Sequence, residues 1–365
     1  MDRGLLEILI CPRHQDHPLE ERGQDLVCPC GCTYPIVQGI PVLLLDDVEQ
    51  TQWVARASLE KARQLRALPS AGPDPCIETL GGLTAQERAS LRDALRSKPQ
   101  PADVDLVVQY VVGATNGILY RSLAGRLSSY PIPDLKLPAA SGAWLLDMGC
   151  NWGRWCVAAA RRGYLPIGID PSLGAVLAAR RICRSLQAPA QFIVADSRHL
   201  PFTARLFDVV FSYSVLQHFG EQDVRATLQE TARVLKPGGT SMIQMPNAFG
   251  IRNLYNQARR GFRHARGFEV RYWTPAALKK TFERFLGPTS LPVDCFFGLG
   301  IQDTHEQILP PRHRLVVRAS RAVRSISQKF HPLRVFADSL YACSVKPDLL
   351  AASPGPLRKL ECRRF

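Results

Sequence analysis

The feature that most constrains this chain is an alternation of short apolar runs with amphipathic stretches between Ala143 and Pro246. "AWLLDMG", "LPIGID", "AQFIVAD", "FDVVFSYS" and "TSMIQMP" read as strands. "RWCVAAARRGY", "SLGAVLAARRICRSL" and "EQDVRATLQETARVL" read as the helices that join them. A parallel strand is reached only through a crossover, so this alternation predicts βαβ units. The expected fold class is α/β, with helices on both faces of the sheet and a ligand at the carboxyl ends of the strands.

The first strand runs into "LLDMGCNWGRW", Leu145 to Trp155. A dinucleotide loop needs G-x-G-x-x-G, but counting from Gly149 the next two glycine positions hold Asn151 and Arg154. That reading fails. The order acid-x-G-x-G-x-G of an S-adenosylmethionine loop fits better: Asp147, Gly149 and Gly153 match, with Asn151 in place of the middle glycine. Glycine lets the backbone approach a ligand and adopt φ > 0, and asparagine is the residue that best tolerates the same conformation. Asp170 and Asp196 end the next two strands. A carboxylate at the first position can accept ribose hydroxyls. At the second, the acid or its neighbour can reach an adenine amino group.

With the segments "FDVVFSYSVLQHF" and "ARVLKPGG" following in order, residues 143–246 resemble the methyltransferase domain of the Rossmann-like, S-adenosylmethionine-dependent superfamily. They are most similar to the branch that includes ubiquinone/menaquinone-biosynthesis methyltransferases. The resemblance implies S-adenosylmethionine as cofactor. It implies Asp147, Gly149, Asn151 and Gly153 at the methionine end, Asp170 at the ribose and Asp196 at the adenine.

The front of the chain carries Cys11-Pro-Arg-His14 and then Cys28-Pro-Cys30-Gly-Cys32. Two short thiol or imidazole pairs separated by a loop are what a tetrahedral zinc site requires. Cys11, His14, Cys28 and Cys30 are the expected ligands, with Cys32 as alternative to Cys30 and His17 as alternative to His14; a degenerate site would simply pack these side chains. The segment from Leu5 to Leu45 resembles the small zinc-ribbon proteins that activate tRNA and release-factor methyltransferases, which implies a structural zinc. The other seven of the 11 cysteines are scattered and read as small buried hydrophobes.

The expected domains are a zinc-ribbon-like unit (1–46), a linker or helical region (47–100), the methyltransferase domain (101–290) and a basic C-terminal extension (291–365). The chain carries a net charge of +14. From Ile251 onward there are 21 Lys+Arg and 8 Asp+Glu, or +13, so the positive charge is concentrated there. Such a balance suits an anionic partner: RNA, a lipid surface or a phosphorylated substrate. "HRLVVRASRAVRSISQKF" (313–330) reads as a basic amphipathic helix. It can lie in a membrane interface, bind RNA through its arginines or pack its apolar stripe on the core, and the packed helix is the expected outcome. No apolar run reaches the length of a bilayer span and the N-terminus lacks a signal-peptide pattern, so a cytoplasmic chain, with peripheral membrane contact as the variant, is expected.

The expected reaction is methyl transfer to an oxygen, nitrogen or carbon nucleophile of a small-molecule or lipid-like acceptor. His218, in "SVLQHF" after the fourth strand, is the candidate base, with a pocket-lining or capping histidine as the plainer reading. Tyr213, Tyr255 and Tyr272 are candidates to shape the acceptor pocket, and Asn116 and Tyr120 to form a lid. The segment after the fourth strand lacks the Asn/Asp-Pro-Pro-aromatic pattern of amino-directed base methylases. Two alternatives stand beside this reading: a ribosomal-RNA guanine methyltransferase, and a non-catalytic scaffold that binds the cofactor and activates a partner.

Overall fold

The computed structural model describes residues 2–50, 53–66, 75–79, 84–96, 104–115, 127, 129–297, 306 and 309–348. Two compact units are distinguished: residues 1–132, 147–161 and 165–203 in the first, and residues 133–146, 162–164 and 204–365 in the second. Asn116 and Tyr120 lie outside the described residues.

The first unit begins with a short helix, Arg3–Ile8, whose start is held by Asp2: its carboxylate accepts the Leu5 N–H at 3.1 Å. An antiparallel meander follows, β1 (Glu20–Arg22), β2 (Asp25–Val27), β3 (Thr33–Val37) and β4 (Ile40–Leu43). All four residues of β4 are buried. Burial on both faces is the pattern of a strand inside a covered parallel sheet, and along its edge β4 pairs parallel with β7 (Gln191–Ala195), with Val42 opposite Val194. Beyond β7 lies β6 (Leu165–Asp170), also parallel, with Ile169 opposite Ile193. The N-terminal segment is thus an extension of the same sheet that carries Asp170.

The crossover from β6 to β7 is the helix Leu173–Ser185, capped by the Ser172 hydroxyl. Its alanine-rich inner face lets it lie close to the strands. Residues 47–100, read as linker or helices, contribute the helices Trp53–Arg66, Pro75–Thr79 and Ala85–Arg96; Leu106–Thr115 follows. Side chains pin them to the crossover helix: Ser58 Oγ accepts the Leu173 N–H at 2.9 Å, and Asp105 pairs with Arg181.

In the second unit, β8 (Phe207–Ser212) leads through the helix Glu221–Val234 to β9 (Leu235–Pro246), which lies parallel to it, Phe211 opposite Met242. The strand begins five residues earlier than "TSMIQMP" suggested. Leu235 pairs with Phe207, and the register then shifts to Val209 opposite Thr240, so "KPGG" forms an irregularity inside the strand. Gly238, at φ 74°, supplies the backbone conformation that this needs. A strand that sequence patterning left in the C-terminal extension, β12 (Ser339–Val345), pairs antiparallel with β9 over its whole length. β10 (Thr289–Ser290) and β11 (Val293–Cys295) flank β12.

The basic stretch forms the helix Pro311–Lys329. Its packing divides the stripe: Val317 is buried and Val323 packs against Val293, Phe296, Ala337 and Leu340, while Leu315, Ile326 and Phe330 stay exposed. Among the described residues no helix is long and apolar enough to cross a membrane.

Candidate functional site

The glycine loop follows β5 (Trp144–Met148) and enters the helix Arg154–Ala160. Gly149 (φ 76°), Asn151 (φ 49°) and Gly153 (φ 80°) all adopt left-handed backbone, the conformation that the acid-x-G-x-G-x-G order anticipates. Asn151 fills its position as a tolerant residue, and its Oδ1 accepts the Trp152 N–H at 2.8 Å. Gly153 is also required by space. A Cβ there would stand 3.0 Å from Ala179 Cβ and 3.4 Å from Phe192. The loop is tied to the next strand by the Gly149 and Cys150 N–H groups, which both donate to the Ile169 carbonyl.

Asp170 ends β6 in a half-buried position. Its Oδ2 accepts the Asn151 N–H at 3.1 Å and its Oδ1 the Ser172 N–H at 2.9 Å. Burial pushes its carboxyl up to about 6, and the two N–H donors oppose that rise. Each oxygen accepts one backbone donor, which leaves acceptor capacity for a ligand hydroxyl. Asp147 is fully buried beneath the loop. Its Oδ2 accepts the Cys156 thiol at 3.4 Å, and its Oδ1 has no hydrogen-bond partner. Burial lifts its carboxyl to about 7. A buried carboxylate oxygen without a donor is costly in isolation, so it favours a cationic or N–H group nearby.

Asp196, just after β7, differs. Arg198 folds back on it: Nε reaches both oxygens at 3.2 and 3.1 Å, and one terminal nitrogen reaches Oδ2 at 2.7 Å. The Arg198 N–H adds a fourth bond at 2.9 Å. The fork saturates the carboxylate. Sequence reasoning missed Arg198, although "ADSRHL" places it two residues from Asp196.

His218 belongs to the second unit, in a short 3-10 helix, Leu216–His218. Its ring stacks on Phe268, centroids 3.7 Å apart and planes 6° from parallel. Nδ1 lies 2.8 Å from the Phe268 carbonyl, an acceptor only, so Nδ1 carries the proton. Nε2 is then the basic nitrogen, 3.1 Å from the Gln217 amide nitrogen. Burial lowers the pKa of this imidazole, keeping it neutral. Phe268 and Gln217, absent from the sequence reading, set the tautomer.

Tyr213 donates to Asp294 Oδ2 at 3.1 Å, and Ser339 donates to the same oxygen at 2.9 Å. Burial raises the Asp294 carboxyl. Tyr255 is exposed, with Arg259 over its ring at 5.8 Å, and Tyr272 lies under Arg260 at 5.1 Å.

At the N-terminus, ligand atoms of Cys11, His14, Cys28 and Cys30 all lie within 4.8 Å of one another. Cys11 Sγ is 3.9 Å from His14 Nδ1, and Cys28 Sγ is 2.8 Å from Cys30 Sγ. Zinc bonds of about 2.3 Å to sulfur and 2.0–2.1 Å to nitrogen set tetrahedral ligand separations of about 3.3–3.8 Å. The Cys11–His14 separation is close to this range and the Cys28–Cys30 separation is shorter, so the four residues have the donor chemistry for one zinc ion and would adjust by about 1 Å to hold it. Burial pushes the Cys28 thiol up to about 12, while its hydrogen bond to Cys30 draws the Cys30 thiol down to about 6. Cys32 and His17 stand outside the four-residue group, His17 Nδ1 3.7 Å from Cys28 Sγ.

Against known proteins, the family described as a methyltransferase domain matches residues 145–239. The tRNA (carboxymethyluridine(34)-5-O)-methyltransferase alkbh8 of Xenopus tropicalis is 33% identical over 132 residues, covering 34% of this chain and 20% of that protein. The ubiquinone biosynthesis O-methyltransferase of Rhodopseudomonas palustris (strain HaA2) is 33% identical over 123 residues, 31% of this chain and 43% of that protein. The solved structure of magnesium protoporphyrin IX methyltransferase from Synechocystis PCC 6803 with bound SAH is 13% identical, with a TM-score of 0.40, covering 80% of this chain and 96% of that chain. The chain spans less than half the length of these two curated relatives, and what it shares with each of them is about a third of its own length.

Proposed function

We propose that this chain transfers a methyl group from S-adenosylmethionine to an oxygen nucleophile of a small, lipid-like acceptor. The observation that carries the reading is the loop at Asp147–Gly153, with three left-handed residues above a buried, half-partnered carboxylate and the open Asp170 at the end of β6. The bound cofactor supplies an electrophilic methyl group on a sulfonium. The chain supplies binding and orientation. Asp170 accepts ribose hydroxyls, and the Asp147 carboxylate favours the cationic methionine end. Since Arg198 occupies Asp196, the adenine contact falls to the backbone beside it. His218 takes the acceptor proton at Nε2, the nitrogen left basic by the bond from Nδ1 to Phe268. The cluster Cys11, His14, Cys28 and Cys30 holds one structural zinc.

The oxygen acceptor is favoured by the two curated relatives described above, both named as O-methyltransferases. A second reading, a nucleoside of tRNA as acceptor, is supported by one relative's name and by the +13 charge after Ile251. Incubation with S-adenosylmethionine labelled in its methyl group tests both, against lipid extract, aqueous extract and total RNA. Label in the lipid fraction, lost in His218→Ala, supports the proposal. Label in RNA alone establishes the second reading, and label in no fraction while the cofactor still binds overturns both.

A further inference from the structure

The helix Ile251–Arg259 is built inside out. Its amide side chains face the protein. Asn253 is buried, its Nδ2 donating to the carbonyls of Asn247 at 2.9 Å and Asp338 at 2.7 Å, and its N–H to Asp338 Oδ1 at 3.0 Å. Gln257 Nε2, one turn on, donates to the Ala248 carbonyl at 2.8 Å. The apolar residues at spacing three and four, Ile251, Leu254 and Tyr255, face outward and are exposed. Hydrogen bonds, not burial of its apolar face, hold this helix in place.

The pattern continues past the helix. Phe262, at φ 54° in a left-handed conformation, is 68% exposed, and Phe268 is 61% exposed. Large apolar side chains exposed together within one short stretch of chain point to an interaction site. Between Phe249 and Tyr272 there are six arginines and one acid, Glu269, for a net +5. Arg263 clasps that acid with two bonds of 2.7 and 2.6 Å, so no unpaired negative charge faces the arginines. Arg252, Arg259 and Arg266 are exposed beside the apolar residues.

We propose that the lobe Phe249–Tyr272 docks on an anionic phospholipid bilayer. Ile251, Leu254, Tyr255 and Phe262 enter the boundary between headgroups and acyl chains, and the arginines meet lipid phosphates. Protruding aliphatic residues among guanidinium groups suit that occupant better than RNA, which takes stacked aromatics and charge but gains nothing from isoleucine and leucine. The inference rests on the lipid-like acceptor proposed above and adds where that acceptor is collected. The docking lobe ends on the candidate base: Phe268 stacks on His218, and Arg271 donates to the His218 carbonyl at 2.7 Å.

Flotation of the full chain with vesicles of phosphatidylcholine plus phosphatidylglycerol, at low and moderate salt, tests the surface. The chain is expected to float, and the variant I251S/L254S/F262S to float roughly tenfold less. The variant keeps its S-adenosylmethionine affinity by calorimetry, since none of the three residues belongs to the cofactor loop. Equal flotation of chain and variant, or no flotation at low salt, overturns the docking surface. So does binding to an RNA oligonucleotide, without flotation, that the triple variant retains. Turnover on detergent-dispersed lipid extract is read separately. Turnover without flotation keeps the enzyme and sinks the surface, and flotation with turnover on aqueous extract alone keeps the surface and sinks the lipid-like acceptor.

Discussion

The cysteine cluster and the glycine loop lie in the same unit, yet they are specified by different parts of the chain. The cluster depends on side-chain atoms: four donors converge to within 4.8 Å, and two of the sulfurs stand 2.8 Å apart. The loop depends on backbone shape: φ is positive at Gly149, Asn151 and Gly153, and space is denied to a Cβ at Gly153. A side-chain site tolerates change around it but not at its donors. A backbone site tolerates any residue that accepts its dihedrals and its clearance.

Removing the proposed zinc should give the largest effect and break the comparison on the side-chain half. Thiolate binding and local folding are coupled, so stripping zinc is expected to cost residues 1–46 on the order of 10 kcal/mol of apparent binding free energy. Limited proteolysis should then cut between Cys11 and Cys28. Protein purified without added zinc that contains none by elemental analysis, yet resists protease there, would show packed cysteines rather than a metal site.

On the backbone half, Gly153→Val should cost about 3 kcal/mol. It meets Ala179 at 3.0 Å and strains a residue at φ 80°. Denaturant unfolding measures this, and a loss under about 1 kcal/mol would mean the loop adapts. Asp170→Ala should weaken S-adenosylmethionine binding by roughly 1.5–3 kcal/mol in calorimetry. The wild-type affinity should also fall as pH drops below about 6, where Asp170 takes a proton. The stability effect has the opposite sense. The folded pKa lies above the usual value of 3.8, so this group's favourable contribution is complete at low pH and fades as pH rises through about 6. Unchanged affinity in the variant at pH 7 would remove Asp170 from the cofactor site. The smallest effect belongs to Asn151→Gly, which keeps the dihedral and loses one local hydrogen bond. Stability and affinity should each move by less than about 1 kcal/mol. A larger loss in affinity would assign the Asn151 side chain a direct contact with the ligand.

Those residues also mark what sequence alone could reveal. Asn151 at φ 49° was legible because few residue types accept that conformation, and the strands from β5 to β9 because apolar runs and glycine punctuation repeat. The capture of Asp196 by Arg198 was not legible. Spacing makes the two neighbours, but a rotamer decides whether the carboxylate is open. β12 was missed because it stands outside the strand–helix alternation and its partner, β9, lies more than ninety residues upstream. The helix Ile251–Arg259 hid for another reason. Periodicity identifies two faces of a helix but carries no sign saying which one meets the protein. Only the bonds from Asn253 and Gln257 supply the sign.

The parallel pairing of β4 with β7 has a consequence on the ribosome. Val42 and Val194, which face each other, are separated by 194 − 42 = 152 residues. At about 5–20 residues per second, β4 leaves the exit tunnel roughly 8–30 s before its partner. Throughout that interval "IPVLLL" presents an apolar strand with an unpaired edge to solvent or to a chaperone. The cysteine pairs, by contrast, are already out, all within the first 32 residues. Capture of the proposed zinc can therefore precede closure of the sheet at β4, which comes only when β7 emerges.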